Sequence, residues 1–224
     1  MDTHAFNELF YRDPYKREAE QKVTHCIYNA EDKLYHIACA STIFYPEGGG
    51  QAGDRGFLGD AEVKDTRYEA REEGRLIMHL CTQPLEIGTV VKARIDWPRR
   101  FSFMQNHSGE HILSGLCHKH YGYNNVGFHL GEDEMTLDFD GELSQAQLDA
   151  LLREANEVVW SDVELITEVL PAEEAKALPY RSKLDLKGPV RLIRIPGGDL
   201  CACCGTHVRR SGEIGPIIAT KLEK

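Results

Sequence analysis

No stretch of this sequence approaches about eighteen consecutive apolar residues, which excludes a transmembrane helix from its expected architecture. The first residues, MDTHAFNELFYRDPYKREAEQ, are charged and mixed, with no basic segment leading into an apolar one. A secretory signal is therefore not expected, and the cytoplasm is the expected compartment. Positive charge is also scarce. Against 36 Asp and Glu stand 26 Lys and Arg, a formal net charge of −10, which argues against a general nucleic-acid-binding protein. There is no internal repeat, no low-complexity tract and no linker longer than a few residues. A P-loop and a dinucleotide fingerprint are both missing, because the one glycine-rich segment has no Gly-Lys-Ser/Thr and no helix predicted after it.

The charge that is present is uneven. Residues 181–224 carry nine Lys or Arg against four Asp or Glu, a local +5 that leaves −15 for residues 1–180. A basic C-terminal face could steer a polyanion to one place, although solvated surface charge is the simpler reading. The seven cysteines are an odd number, and three crowd together as Cys201, Cys203 and Cys204. In a cytosolic chain such clustering points to metal binding rather than to a disulfide framework. Cys26, Cys39, Cys81 and Cys117 lie in apolar surroundings and are expected to be ordinary buried residues.

From about Lys22 to Asp96 the sequence reads as short strands (THCIYN, LYHIACASTIFY, AEVKDTRYEA, RLIMHLC and TVVKARIDW) separated by turn-forming segments, as a small β-barrel requires. Only the first twenty residues could hold a longer amphipathic helix in this region. The pattern changes at Trp97-Pro98. Asp96 is a suitable N-cap, proline is tolerated in a first turn, and Phe101, Met104, Ser108, Ile112 and Leu116 recur at helical spacing. Gly109 weakens this helix by about 1 kcal/mol relative to alanine, and it is expected to serve close packing. Downstream, GFHLGEDEMTLDFD predicts a hairpin turning at Glu132-Asp133. Ser144 and Gln147 form a capping box for a helix with an apolar stripe. VELITEVL, VRLIRI and IGPIIATKL read as strands, and PAEEAKAL as a short helix opened by Pro171. The expected fold is α+β: a small N-terminal β-barrel over residues 1–96, then an α+β domain over residues 97–224 with helices on an antiparallel sheet.

Two ligand pairs carry the strongest chemical signal. His107 and His111 are four apart on the predicted helix, so both imidazoles can aim at one point. Cys203 and His207 are also four apart, in a segment that Gly205 marks as a tight loop. Together they provide the four ligands of a single zinc ion, and a histidine-rich set drawn from distant parts of the chain can stay open to water or substrate. The competing reading is a pair of core or surface histidines and an unrelated reactive thiol. His118 and His120 are expected on the exposed last turn of the helix, where positive charge suits the dipole. Glu110 invites a general-base role, but helical geometry points it away from the ion. The segment FYPEGGGQAGDRG offers glycines with approachable backbone N–H groups, suited to a ligand or to an ordinary barrel turn.

HSGEHIL, CCGTHV, FYPEGGGQAGDRG and the joining RIDWPRRFSFMQNHS, in this order and over nearly the whole chain, resemble the AlaX family of free-standing alanyl-tRNA editing proteins in its medium-length form, and the editing domain of alanyl-tRNA synthetase. The resemblance implies a hydrolase that removes the wrong amino acid, chiefly serine and also glycine, from tRNA(Ala), with one zinc ion per chain held by His107, His111, Cys203 and His207. It brings no DNA or membrane partner. Cys204 replaces the usual glycine and Cys201 is additional; the register with His207 selects Cys203. Zinc would either orient the substrate or polarise an attacking water. Gln51, with Gly49 and Gly50, is the candidate contact to the amino acid or terminal adenosine, although Gln51 could equally be a turn residue. The Arg99-Arg100 region and the basic C-terminal stretch are candidate tRNA contacts. The sequence ends at Lys224, so no long C-terminal tRNA-binding extension is expected. No residue is singled out as acid or base, and oligomeric state is left open. Alternatives are a zinc-stabilised, non-catalytic tRNA- or synthetase-binding module, and a zinc hydrolase of another ester or amide.

Overall fold

A computed structural model describes residues 6, 8–71, 74–131, 134–182 and 188–223. The described chain divides into two compact units, one over Phe6–Phe101 and a second that begins at Ser102.

The first unit is a closed barrel. A short helix α1 (Leu9–Arg12) precedes strands β1 (Glu18–Asn29), β2 (Leu34–Cys39), β3 (Gly56–Leu58), β4 (Ala61–Arg71), β5 (Gly74–Cys81) and β6 (Val90–Ile95). Their order is β1-β2-β5-β4-β3-β6, and antiparallel pairing of β6 with β1 closes the ring. Closure leaves no open edge to pair with another chain. Alternate residues point inward, so Val23, Ile37, Leu58, Val63, Ala93 and Ile95 meet Phe44 in one apolar core. The strand β3 was hidden at the end of the glycine-rich segment, where three residues are too few for a readable alternation. Gly56 makes it possible: at φ 151° its added Cβ would lie 2.1 Å from the Arg94 carbonyl oxygen on β6. Of the N-terminal helix, only Leu9–Arg12 is helical among the described residues.

The largest buried polar side chain of this unit is bound within it. Arg100 is fully buried, with Nε donating to Asp54 Oδ1 at 2.9 Å and Nη2 pairing with Asp54 Oδ2. Nη2 also donates to the Ile43 carbonyl at 2.8 Å, and Nη1 to that of Pro14 at 3.0 Å. The expectation that Arg100 meets tRNA is therefore corrected: every hydrogen-bonding edge of its guanidinium is directed into the protein. Arg99 is half-buried and donates through Nη1 to the Gly53 carbonyl at 2.6 Å.

The dividing line between the units falls inside α2 (Trp97–Tyr121). Asp96 caps this helix, accepting from Arg99 N at 3.3 Å. Residues 107–117 are all buried, so the polar members of that run face protein rather than water. Then come β7 (Asn125–Leu130) and β8 (Met135–Phe139), paired as a hairpin closed by Gly131 N to Glu134 O at 3.0 Å. The turn expected at Glu132-Asp133 lies outside the described residues. Helix α3 (Gln145–Trp160) begins with the expected capping box between Ser144 and Gln147 and buries Leu148, Leu151, Ala155, Val158 and Val159. An antiparallel sheet of β9 (Ile166–Leu170), β10 (Val190–Ile195) and β11 (Asp199–Ala202), in the order β11-β10-β9, completes the α+β unit with a short α4 (Ala172–Ala175).

IGPIIATKL is not a strand. Ser211–Ile214 form a 3-10 turn, Gly215 takes φ 77°, and Pro216 has no N–H to donate. The partner expected from a sheet is supplied by a side chain: Asn156 of α3 accepts from Ile217 N at 2.9 Å and donates to Ile217 O at 2.8 Å.

Candidate metal centre

The helical spacing of His107 and His111 holds, and both imidazoles lie on the buried part of α2, with ring centroids 5.3 Å apart. The chain leaves β11 at Ala202 and turns at once into the loop that carries Cys203 and His207. Arg191, buried on β10, fixes this loop: its Nη1 donates to the carbonyls of Cys203 at 2.8 Å and Gly205 at 2.9 Å. Cys203 N in turn donates to Arg191 O at 3.0 Å. Gly205 N is directed at Cys203 Sγ, 3.2 Å away.

One ligand atom from each of His107, His111, Cys203 and His207 lies within 4.8 Å of every other. The thiol is 3.4 Å from both His107 Nε2 and His207 Nε2. Tetrahedral zinc with ordinary bond lengths would hold sulfur and nitrogen about 3.5 Å apart, so the spacing suits an ion. Two of the four groups shift towards their metal-binding forms, whereas at His111 burial is outweighed by Cys203, Asp199 and Glu110, which together raise it well above its ordinary value, the state of a site in which a proton stands where the ion would. Burial alone would raise the Cys203 thiol, but His107 and His111 outweigh it and hold the group well below its ordinary value of 9.0. Burial, followed by repulsion from His107, pushes His207 down to about 3. An ionised thiol and a neutral imidazole are the forms that bind a metal. A buried set of three imidazoles and one thiolate can thus hold a metal ion.

The three clustered cysteines separate by position. Cys203 is in the four-residue set, Cys204 is exposed, and Cys201 belongs to a neighbouring group with His111 and Asp199. Two barrel thiols differ from Cys203 in direction, since burial raises Cys39 and Cys81 to about 12. His118 and His120 sit exposed on the last turn of α2 as expected, His120 pairing with Glu154 at 2.6 Å.

Glu110 is nearer than helical geometry suggested. Its Oε1 accepts from Ser114 Oγ at 2.7 Å and Asn125 Nδ2 at 2.6 Å, and this curls the buried carboxylate back until Oε2 lies 3.7 Å from His111 Nε2. Gly109, by contrast, does not serve close packing, since an added Cβ would meet Ile214 and Ile217 at ordinary distances of 3.5 and 3.6 Å.

In the barrel unit, Gly48 and Gln51 exchange backbone hydrogen bonds of 3.0 and 3.1 Å around Gly49 and Gly50, whose φ values are 60° and 83°. Two successive positive φ values define a type I′ turn, which is why glycine suits both positions. Gly49 and Gly50 are exposed at its tip and Gln51 is fully buried. Four of the described arginines in the basic C-terminal stretch are already engaged within the protein. Arg181 is bound to Asp199, Arg191 is buried, and Arg194 and Arg210 pair with Glu168 and Asp162. A count of charges registers the arginines but not their acidic neighbours from elsewhere in the fold.

Comparison with known proteins places the chain. Residues 190–224, which hold the Cys203 loop, match the threonyl and alanyl tRNA synthetase second additional domain. Alanyl-tRNA editing protein AlaX-M of Saccharolobus solfataricus is 33% identical over 226 residues, covering 96% of this chain and 92% of the relative. The chain belongs to the AlaX family of alanyl-tRNA editing proteins. Other relatives are longer. Alanyl-tRNA editing protein Aarsd1-A of Xenopus laevis is 32% identical over 95% of this chain, which spans 54% of that protein. An alanine–tRNA ligase of Pyrococcus abyssi is 34% identical over 96% of the chain, which spans 24% of the ligase. The AlaX chain thus spans about half the length of some editing relatives. None of its described helices is long and apolar enough to cross a membrane.

Proposed function

We propose that this AlaX protein is a zinc-dependent hydrolase that deacylates mischarged tRNA(Ala), chiefly seryl-tRNA(Ala) and also glycyl-tRNA(Ala), in the cytoplasm. The observation that carries the reading is the buried convergence of His107, His111, Cys203 and His207 in a chain of this family. These four side chains are the proposed ligands of one zinc ion. Bound there, the ion supplies Lewis-acid polarisation of the ester carbonyl or of a water. Water adds to the carbonyl carbon, the bond to the ribose oxygen breaks, and the ribose hydroxyl and the free amino acid leave. Backbone N–H groups near the site hold the developing oxyanion. Gln51, with Gly49 and Gly50, contacts the amino acid or the terminal adenosine.

Editing answers a limit of synthesis. A pocket made for alanine cannot strongly exclude serine, which differs by one hydroxyl, so a second site must inspect the product. A group that hydrogen-bonds the serine hydroxyl spares alanyl-tRNA, because alanine would leave that group unpaired. Binding of tRNA through phosphates weakens as salt rises. The test is deacylation of seryl-, glycyl- and alanyl-tRNA(Ala) by metal-free and zinc-reconstituted protein. Hydrolysis of the first two only when zinc is present is expected. No activity on any of the three would overturn the reading, and wholesale unfolding on chelation would favour a structural ion instead.

A further inference from the structure

Beside the four-residue set lies a second group of ligand-type residues, His111, Asp199 and Cys201, which shares His111 with it. It could be a second metal position or a support for the first, and the charges decide between these. Asp199 Oδ1 and Oδ2 accept from Arg181 Nε at 2.9 Å and Nη2 at 2.7 Å. Both carboxylate oxygens already face a guanidinium, whose fixed positive charge would repel a cation placed against them in this buried setting. The cluster therefore reads as a support.

We propose that Asp199, clamped by Arg181, is a positioning residue that holds His111 by Nδ1 so that Nε2 is the nitrogen offered to the ion. This rests on the metal-site reading above. His111 Nδ1 lies 3.3 Å from Asp199 Oδ2, and both side chains are 3% exposed. That nitrogen has no aligned hydrogen-bond partner, so the carboxylate is the group placed to receive its proton. A carboxylate in this position fixes the tautomer and raises the basicity of the ligating nitrogen. His207 is held in a parallel way. Its Nδ1 lies 3.1 Å from Ser108 Oγ, a hydroxyl that also accepts from Val208 N at 3.2 Å.

The backbone is shaped to bring Asp199 there. Gly115 stands one turn beyond His111 on α2, and a Cβ added to it would lie 2.4 Å from Gly198 O and 2.7 Å from Asp199 Cβ. Only a bare helix surface lets the start of β11 approach so closely. The glycine of α2 that matters to the site is thus Gly115, four residues beyond the second histidine.

The test measures zinc affinity of the full chain by chelator competition, together with the absorption spectrum of the cobalt(II)-substituted protein. Asp199→Ala is expected to weaken zinc binding about ten- to a hundredfold and to shift the cobalt bands, with native far-UV circular dichroism. Asp199→Asn, which keeps an acceptor, should recover part of the loss. Arg181→Gln should weaken binding in the same direction, and it carries the test if Asp199→Ala does not fold. Unchanged affinity and spectrum in Asp199→Asn and Arg181→Gln would overturn the proposal. So would two metal equivalents in the wild type with one lost in Asp199→Ala, which would make the cluster a second site. A wild-type protein that binds neither zinc nor cobalt would overturn the metal reading itself.

Discussion

The two units bury polar groups in opposite ways. In the barrel, Arg100 meets Asp54, and His79 is satisfied at both nitrogens, by the Ile37 carbonyl and by Thr42 Oγ1, each at 2.8 Å. These charges and dipoles are answered from within the same unit. In the second unit, three imidazoles and a thiol bring one ligand atom each to within 4.8 Å of one another, with Asp199 and Ser108 set behind two of the rings. Unlike groups that close on each other hold a fold together. Groups of similar kind that converge define a place for something else, here a cation.

Breaking a closed pair should have the largest effect. Asp54→Ala leaves the Arg100 guanidinium buried and unpaired, and a loss of about 3–5 kcal/mol is expected, measured by urea denaturation. Replacing both partners with apolar residues should recover much of it, whereas recovery of none would mean that the carbonyl contacts of Arg100 dominate. Breaking the convergent set should cost activity rather than fold. For His111→Ala we expect loss of most seryl-tRNA deacylation together with bound zinc, and normal turnover with full zinc would remove His111 from the ligand set. Cys203→Ala should resemble it, while Cys201→Ala and Cys204→Ala should be far milder; zinc stoichiometry across the three tests this.

How much of this was legible in the sequence depended on range. His107 and His111 could be paired because a helix repeats within four residues, and Cys203 with His207 because both stand in one short loop. Asp199 and Ser108 were invisible as supports, since each reaches its histidine only through packing of α2 against β11 and the following loop, and Arg181 reaches Asp199 in the same way, through the fold. Arg100 shows the same limit from the other side. Its charge suggested a phosphate contact, and only the fold reveals Asp54, 46 residues earlier, already bound to it. The barrel was readable from alternation, whereas the strand expected at 214–222 failed on the local chemistry of Gly215 and Pro216.

Smaller effects sharpen the contrast. Burial lowers His79 from its ordinary value of 6.5 to about 4, so the unfolded chain takes up that proton first as pH falls. Its contribution is complete above pH 6.5 and is lost between there and about pH 4, with a slope of at most about 1.4 kcal/mol per pH unit. His79→Gln should flatten that part of a stability profile; an unaltered slope would assign it to other groups. The smallest expected change is a gain. Gly109→Ala adds a methyl group at ordinary contact distance and improves helix propensity, for up to about 1 kcal/mol of stabilisation in thermal unfolding. Gly115→Ala, on the same helix, should destabilise.

The grip of Arg191 on the Cys203 and Gly205 carbonyls has a consequence for how an ion would arrive. A loop already tied down before capture loses little disorder when it is filled, so the cost of ordering it falls on folding rather than on binding. Such a mould is ready in advance, and ion uptake should follow a single fast phase with no slow rearrangement behind it.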